Sequence, residues 1–130
     1  MVTDPGGAVV GHAAVVARAM VLDGTPCRVG YVEAVATDPG RQHQGIGDAV
    51  MTAIEAVISA AYDFGALSAS SAGERLYRAH GWRRWEGTLS AMTPSGVTPT
   101  ADDAGSVFVF GALQSSDGEL TCDWRSGDLW

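Results

Sequence analysis

The stretch from Tyr31 to Gly47 constrains this chain more than any other. It reads as a strand, a loop of turn formers, and then a glycine-spaced start to a helix. Val29 to Thr37 is rich in valine, alanine and tyrosine, as a half-buried strand requires, yet one carboxylate, Glu33, stands inside the apolar run. A charge there needs a reason. From Ile46, apolar residues recur at Ala49, Val50, Ala53, Ile54, Val57, Ile58 and Ala61, which is helical spacing held for roughly four turns.

A helix N-terminus gathers backbone N–H groups without partners, and glycines let an anionic ligand approach them closely. The stretch therefore reads as a pyrophosphate cradle. A P-loop would need Gly-x-x-x-x-Gly-Lys-Ser/Thr, and the chain contains no lysine. A Rossmann turn would need Gly-x-Gly-x-x-Gly/Ala directly after its strand, but Val50 holds the third place and a long loop precedes Gly45. What remains, Gln42, Gly45 and Gly47 in the pattern Gln/Arg-x-x-Gly-x-Gly/Ala, resembles motif A of the GNAT N-acetyltransferases.

The length suits one domain, residues 1–130, burying about two-thirds of its unfolded surface in a single core. The net charge of −7 argues against a nucleic-acid partner or an anionic membrane and for a cationic one. Cys27 and Cys122 are far apart and no histidine or cysteine clusters near either, so reduced thiols are expected, with neither metal site nor disulfide framework. With no signal peptide and no apolar run of about 18 residues, the chain reads as soluble and cytoplasmic.

In chain order, Asp4-Pro5-Gly6-Gly7 is a turn signature that calls for a strand before it. Ala8 to Leu22 is a long strand closed by the Asp23-Gly24 hairpin signal; His12 within it carries no assigned role. After the helix, Gly65 to Ser70 is a short strand of small residues and Ser71 to His80 a second helix, with Gly81 placed as its C-terminal cap. Trp82 to Met92 and Ser106 to Gly111 complete the sheet, divided by a loop from Thr93 to Gly105. The tail from Glu119 to Trp130 keeps Trp124 and Trp130, so it is expected to dock; its surroundings are acidic, with Asp102, Asp103, Asp117, Asp123 and Asp128 nearby in sequence.

Gly30-Tyr31-Val32-Glu33, Gly65-Ala66-Leu67-Ser68, Arg75-Leu76-Tyr77, Gly81-Trp82, Val107-Phe108-Val109, Cys122-Asp123-Trp124-Arg125 and Gly127-Asp128-Leu129-Trp130 resemble, in the same order, segments of the aminoglycoside 2′-N-acetyltransferases. That resemblance implies an α/β (α+β) fold of the GNAT type: a mixed, mostly antiparallel sheet flanked by helices. It implies acetyl-CoA as cosubstrate and a cationic aminoglycoside or related amino sugar as acceptor, acetylated on its 2′-amine. Backbone groups of Val35, Ala36 and Thr37 would pair with the pantetheine arm as an added strand, and Gln42, His43, Gln44, Gly45, Ile46 and Gly47 would hold the pyrophosphate. Glu33 and Ala34 would face the sugar. Ser68, Asp103, Asp128 and the terminal carboxylate of Trp130 would contact its ammonium and hydroxyl groups.

For catalysis, Tyr77 would protonate the departing thiolate, while a water relay from Glu33 or from the Trp130 carboxylate would take the amine's proton. A carboxylate is a weak direct base for an ammonium, and negative neighbours raise an amine's pKa, so the carboxylates serve affinity first. Relative to the family, the usual first strand, first two helices and most of the second strand are missing, which reads as an N-terminally incomplete domain. The strand from Ala8 to Leu22 would then keep an unpaired edge inviting self-association as a homodimer. Two other readings stay open at this point: a catalytically weak remnant that binds acetyl-CoA or a partner chain, and an acetyltransferase for another amine.

Overall fold

The computed structural model describes residues 2–3, 6, 9–37 and 45–130. Gln42, His43 and Gln44 of the expected pyrophosphate cradle lie outside the described residues, as do the side chains of Ala34, Ala36 and Thr37.

Strand β1 (Val2–Thr3) is a two-residue stub against β2 (Val9–Leu22), so the early turn signature does have a short strand before it. The hairpin between β2 and β3 (Thr25–Thr37) turns at Asp23 and Gly24 with φ of 48° and 82°, left-handed values that asparagine, aspartate and glycine tolerate best. Helix α1 (Ile46–Ala61) follows, then β4 (Phe64–Ser68) and helix α2 (Glu74–Ala79). The chain continues through β5 (Arg83–Arg84), β6 (Thr88–Thr93), β7 (Gly96–Pro99), a 3-10 turn at Ala101–Asp103, β8 (Val107–Phe110) and β9 (Glu119–Cys122).

The sheet order is β5-β8-β4-β3-β2-β9-β6-β7, with β1 beside β2. Only β3/β4 and β6/β9 run parallel among the described pairs; the rest are antiparallel. Period-two alternation divides the core into two layers. Val29, Tyr31, Phe64, Ala66, Val107 and Val109 face one cluster with Leu120, Cys122 and Trp130. Val32, Leu67 and Phe108 face the other, where α1 and α2 contribute Met51, Ile54, Ile58 and Tyr77. The helices thus cover one face and the C-terminal segment the other.

Several expected boundaries move. The stretch from Trp82 to Met92 is two strands, not one: β5 lies at one end of the sheet beside β8, and β6 lies across it beside β9. The chain crosses at Gly87, where any Cβ would collide with the carbonyl of Gly118. The loop from Thr93 to Gly105 contains a hairpin strand, β7. The second helix begins at Glu74, because Ser70 instead caps a turn, accepting from the amides of Gly73 (3.3 Å to Oγ) and Glu74 (3.2 Å to the carbonyl). Ala49, Ala53, Val57 and Ala61 of α1 are exposed; the buried row is Ile46, Val50, Met51, Ile54 and Ile58, a narrower stripe suited to one contact face. Of the two tail tryptophans, Trp130 docks, while Trp124 is exposed.

The far edge of β2 is not bare along its length. β1 pairs with it at Val9 and Gly11, and β9 at Val21 and Leu22; among the described residues, no strand pairs there with the segment between. Among the described residues no helix is long and apolar enough to cross a membrane.

Candidate active site

The site is built where two parallel strands part. β3 and β4 pair from Val29/Phe64 to Val32/Leu67, and there the ladder stops. β4 ends at Ser68, whereas β3 runs on to Thr37 held only by β2 among the described strands. The register of β2 and β3 also slips between Ala14/Glu33 and His12/Ala36: three steps along β3 match two along β2. This bulge falls at Ala34 and Val35, and bulges bend a strand and re-aim its side chains. The free side of β3 from Glu33 to Thr37 is therefore an open row of backbone groups at the mouth of a fork.

Helix α1 points its N-terminus at this mouth. Ile46 and Val50 pack against Val35 and Ala13, which fixes the start of the helix beside the bulge. Gly45 precedes it at φ 76°, with nothing within 4 Å of where a Cβ would stand, and as the N-cap residue it offers no side chain to the first amides of the helix. Gly47 carries no side chain because a Cβ would come within 3.2 Å of Leu76 on α2. The first amides of a helix, a left-handed glycine before them and a strand edge that no described strand pairs suit a pyrophosphate followed by an extended amide-bearing arm.

A cleft of about 380 Å³ occupies the fork. Glu33, Ser68, Tyr77, Asp128 and Trp130 line it, together with Val35, so residues from two strands, one helix and the tail converge. Asp103 is outside the lining but close enough to Asp128 for their charges to interact; burial first, then Asp102 and Asp128, raise its carboxyl above the ordinary aspartate value. A larger groove of about 550 Å³ along Ala17–Val21 and Pro26–Arg28 is lined mainly by apolar groups and holds no acid–base pair.

Tyr77 is buried, and burial raises its hydroxyl's pKa above the ordinary tyrosine value, so the group keeps its proton at neutral pH. Gly73 makes room for it: a Cβ there would approach the ring to 2.9 Å. Trp82 backs Tyr77 at a ring-centroid distance of 6.4 Å. Behind them, His80 bridges Asp48 on α1 (2.8 Å) and Glu55 (3.1 Å), while the Trp82 indole donates to Glu55 (2.8 Å). Desolvation alone would lower the pKa of His80, but hydrogen bonds and charge from both carboxylates outweigh it and raise it. This lattice ties the helix carrying Tyr77 to the helix that starts at the cradle.

The opposite wall rests on two arginines that sequence reasoning passed over. Arg18 on β2 is buried and donates to the Asp123 carboxylate (2.7 Å), the Asp123 carbonyl (3.0 Å) and the Leu129 carbonyl (2.6 Å). It clamps the tail from both ends. Arg125 pairs with Glu33 and donates from Nε to the Asp128 carbonyl (2.6 Å). Both guanidinium groups lie over the ring of Tyr31, at 4.8 Å and 5.3 Å from its centroid. The Trp130 indole donates to the Thr100 hydroxyl (2.9 Å), closing the tail against the turn that carries Asp103. These partners lie as far as 111 positions apart in sequence, so no local pattern reports them. The one signal was an apolar strand position holding Glu33, which needed a countercharge.

Three comparisons with known proteins bear on this site. The model of the acetyltransferase (GNAT) domain matches residues 1–84. An aminoglycoside 2′-N-acetyltransferase of Mycolicibacterium fortuitum is 44% identical over 130 residues, an alignment that covers 95% of this chain and 67% of that protein. Among solved structures, the GNAT family N-acetyltransferase YhbS from Escherichia coli, in complex with CoA, superposes with a TM-score of 0.62 at 17% identity, covering 92% of this chain and 63% of that one. The chain thus spans about two-thirds of the length of either relative. A forked sheet with a glycine-led helix at its mouth, and a domain match across that region, make one conclusion plain: the chain belongs to the GNAT acetyltransferases.

Proposed function

We propose that this chain transfers an acetyl group from acetyl-CoA to the 2′-amino group of an aminoglycoside or a related amino sugar. The observation that carries the reading is the convergence of Tyr77 with Glu33 and Asp128 on one cleft beside the glycine-led start of α1. The acetyl thioester supplies an activated acyl group. The backbone of Val35, Ala36 and Thr37 would hold its pantetheine arm as an added strand, and Gln42 to Gly47 its pyrophosphate.

The protein's own residues divide the remaining work. Glu33 and Asp128, with Asp103 behind, attract an acceptor's ammonium groups; Ser68 and the backbone near Ala34 meet its hydroxyls. Trp130 forms the floor of that half. The reacting amine must shed a proton before it can attack, and a water held by Glu33 relays it to solvent. Tyr77 keeps a proton on its hydroxyl at the other wall, where the leaving thiolate needs one.

The test compares thiol release from acetyl-CoA with kanamycin B, which has a 2′-amine, and kanamycin A, which has a hydroxyl there. Release with kanamycin B alone, with the new amide mapped to the 2′ position, is expected. Equal release with both acceptors would mean that another amine is modified.

A further inference from the structure

We infer that Arg125 is a built-in stand-in for the acceptor's ammonium, occupying Glu33 until a cationic acceptor displaces it. The inference rests on the amine-acceptor reading of the cleft and adds the residue that sets how readily that acceptor binds.

Two arginines flank Tyr31, and their settings differ. Arg18 is 3% exposed and spends its donors on three acceptors of the half-buried tail, so moving it would leave its own buried guanidinium without partners. Arg125 is 29% exposed and its partner Glu33 34% exposed, inside the cleft that both line. An ion pair in contact with water contributes little net free energy, because the two ions are nearly as well solvated apart. Arg125 is therefore displaceable where Arg18 is not.

The geometry also gives it somewhere to go. The Arg125 Nε bond to the Asp128 carbonyl lies within the tail and gives the guanidinium a pivot about which Nη1 can swing off Glu33, while Arg18 keeps the tail on the sheet through Asp123 and the Leu129 carbonyl. Beneath it, the Tyr31 hydroxyl is buried and has no hydrogen-bond partner among the described residues. A buried hydroxyl without a partner is costly, and a polar group of an incoming acceptor would satisfy it once the guanidinium shifts. An ammonium is a compact cation that can replace one arm of a guanidinium on a carboxylate. Acceptor binding is then an exchange of cations at Glu33, with the net charge of that pair preserved.

Calorimetric titration of kanamycin B into the full chain tests this with four proteins: wild type, Arg125→Gln, Glu33→Gln and the double variant. Without its competitor, Glu33 should take the acceptor about two- to fivefold more tightly in Arg125→Gln. Acetyl-CoA affinity should not change. In the Glu33→Gln background the same arginine substitution should give no gain, because the competition runs through Glu33. Weaker binding by Arg125→Gln overturns the inference, as does a gain of equal size without Glu33, which would report a general field. Absence of binding by every variant overturns it too. Should Arg125→Gln fail to fold, Arg125→Lys, which keeps charge but loses the planar stacking, should show a smaller gain in the same direction, and a loss overturns the proposal. The transfer reading fails on a different result, absence of thiol release by wild type; the titration reads the exchange regardless.

Discussion

The two walls of the cleft are held by different physics. On the helix side, Tyr77, Trp82 and the start of α1 are placed by apolar periodicity and by glycines that let elements approach, with His80 as a polar brace between helices. On the tail side, the chain after β9 has no regular structure, and its position depends on Arg18 and the Trp130 indole, with the Arg125–Glu33 pair as a displaceable addition. A wall made of packed elements keeps its shape through many small contacts. A wall made of a strap concentrates its hold in a few directional bonds, so single substitutions should act unevenly across the cleft.

The largest effect is expected at the proton donor. Tyr77→Phe keeps the packing and removes one hydroxyl, so kcat should fall by about a hundred- to thousandfold while acceptor KM holds. A rise confined to acceptor KM would move Tyr77 to the wrong side of the comparison. On the tail side, Arg18→Met should lower stability by about 3 kcal/mol in denaturant unfolding, since it leaves Asp123 and the Leu129 carbonyl without their donor. Acceptor KM should rise with it more than acetyl-CoA KM. A variant as stable as wild type would show that the strap is held elsewhere.

A subtler break comes from Gly73→Ala. The added methyl meets the Tyr77 ring at 2.9 Å, so the ring must shift, at a cost of about 1 kcal/mol in stability, and kcat should drop without a change in acceptor binding. The smallest effect is the pH dependence of the brace. Because Asp48 and Glu55 raise His80 above its ordinary value of 6.5, the folded state holds that proton more tightly than the unfolded chain. Its stabilisation is full below that value and fades as pH rises through the folded pKa. Thermal midpoints measured from about pH 6 to 8 should show a slope in wild type that His80→Gln lacks, worth less than about 1 kcal/mol.

The same division explains what could be read from the sequence. α1 and the β2–β3 hairpin were legible because periodicity and an Asp-Gly turn act over a few residues. Glu33, Ser68, Tyr77, Asp128 and Trp130 line one cleft, while Asp103 stands outside that lining. Arg18 and Arg125 were illegible because nothing local marks an arginine that folds over a strand about 100 positions away. The split of Trp82–Met92 was missed for a related reason. Strand formers stand on both sides of Glu86-Gly87, and the close passage of Gly87 against Gly118 shows that the chain changes neighbours there. Propensity reports what a segment can form, not which partner it pairs with.

The most direct test of the divided cleft is the pair of Michaelis constants of Glu33→Gln, with acetyl-CoA and kanamycin B each varied against saturating partner. If the tail-side wall binds the acceptor and the helix side the cosubstrate, the kanamycin B constant should rise about tenfold while the acetyl-CoA constant stays within about twofold of wild type. A rise in the acetyl-CoA constant with the acceptor constant unchanged would contradict the account.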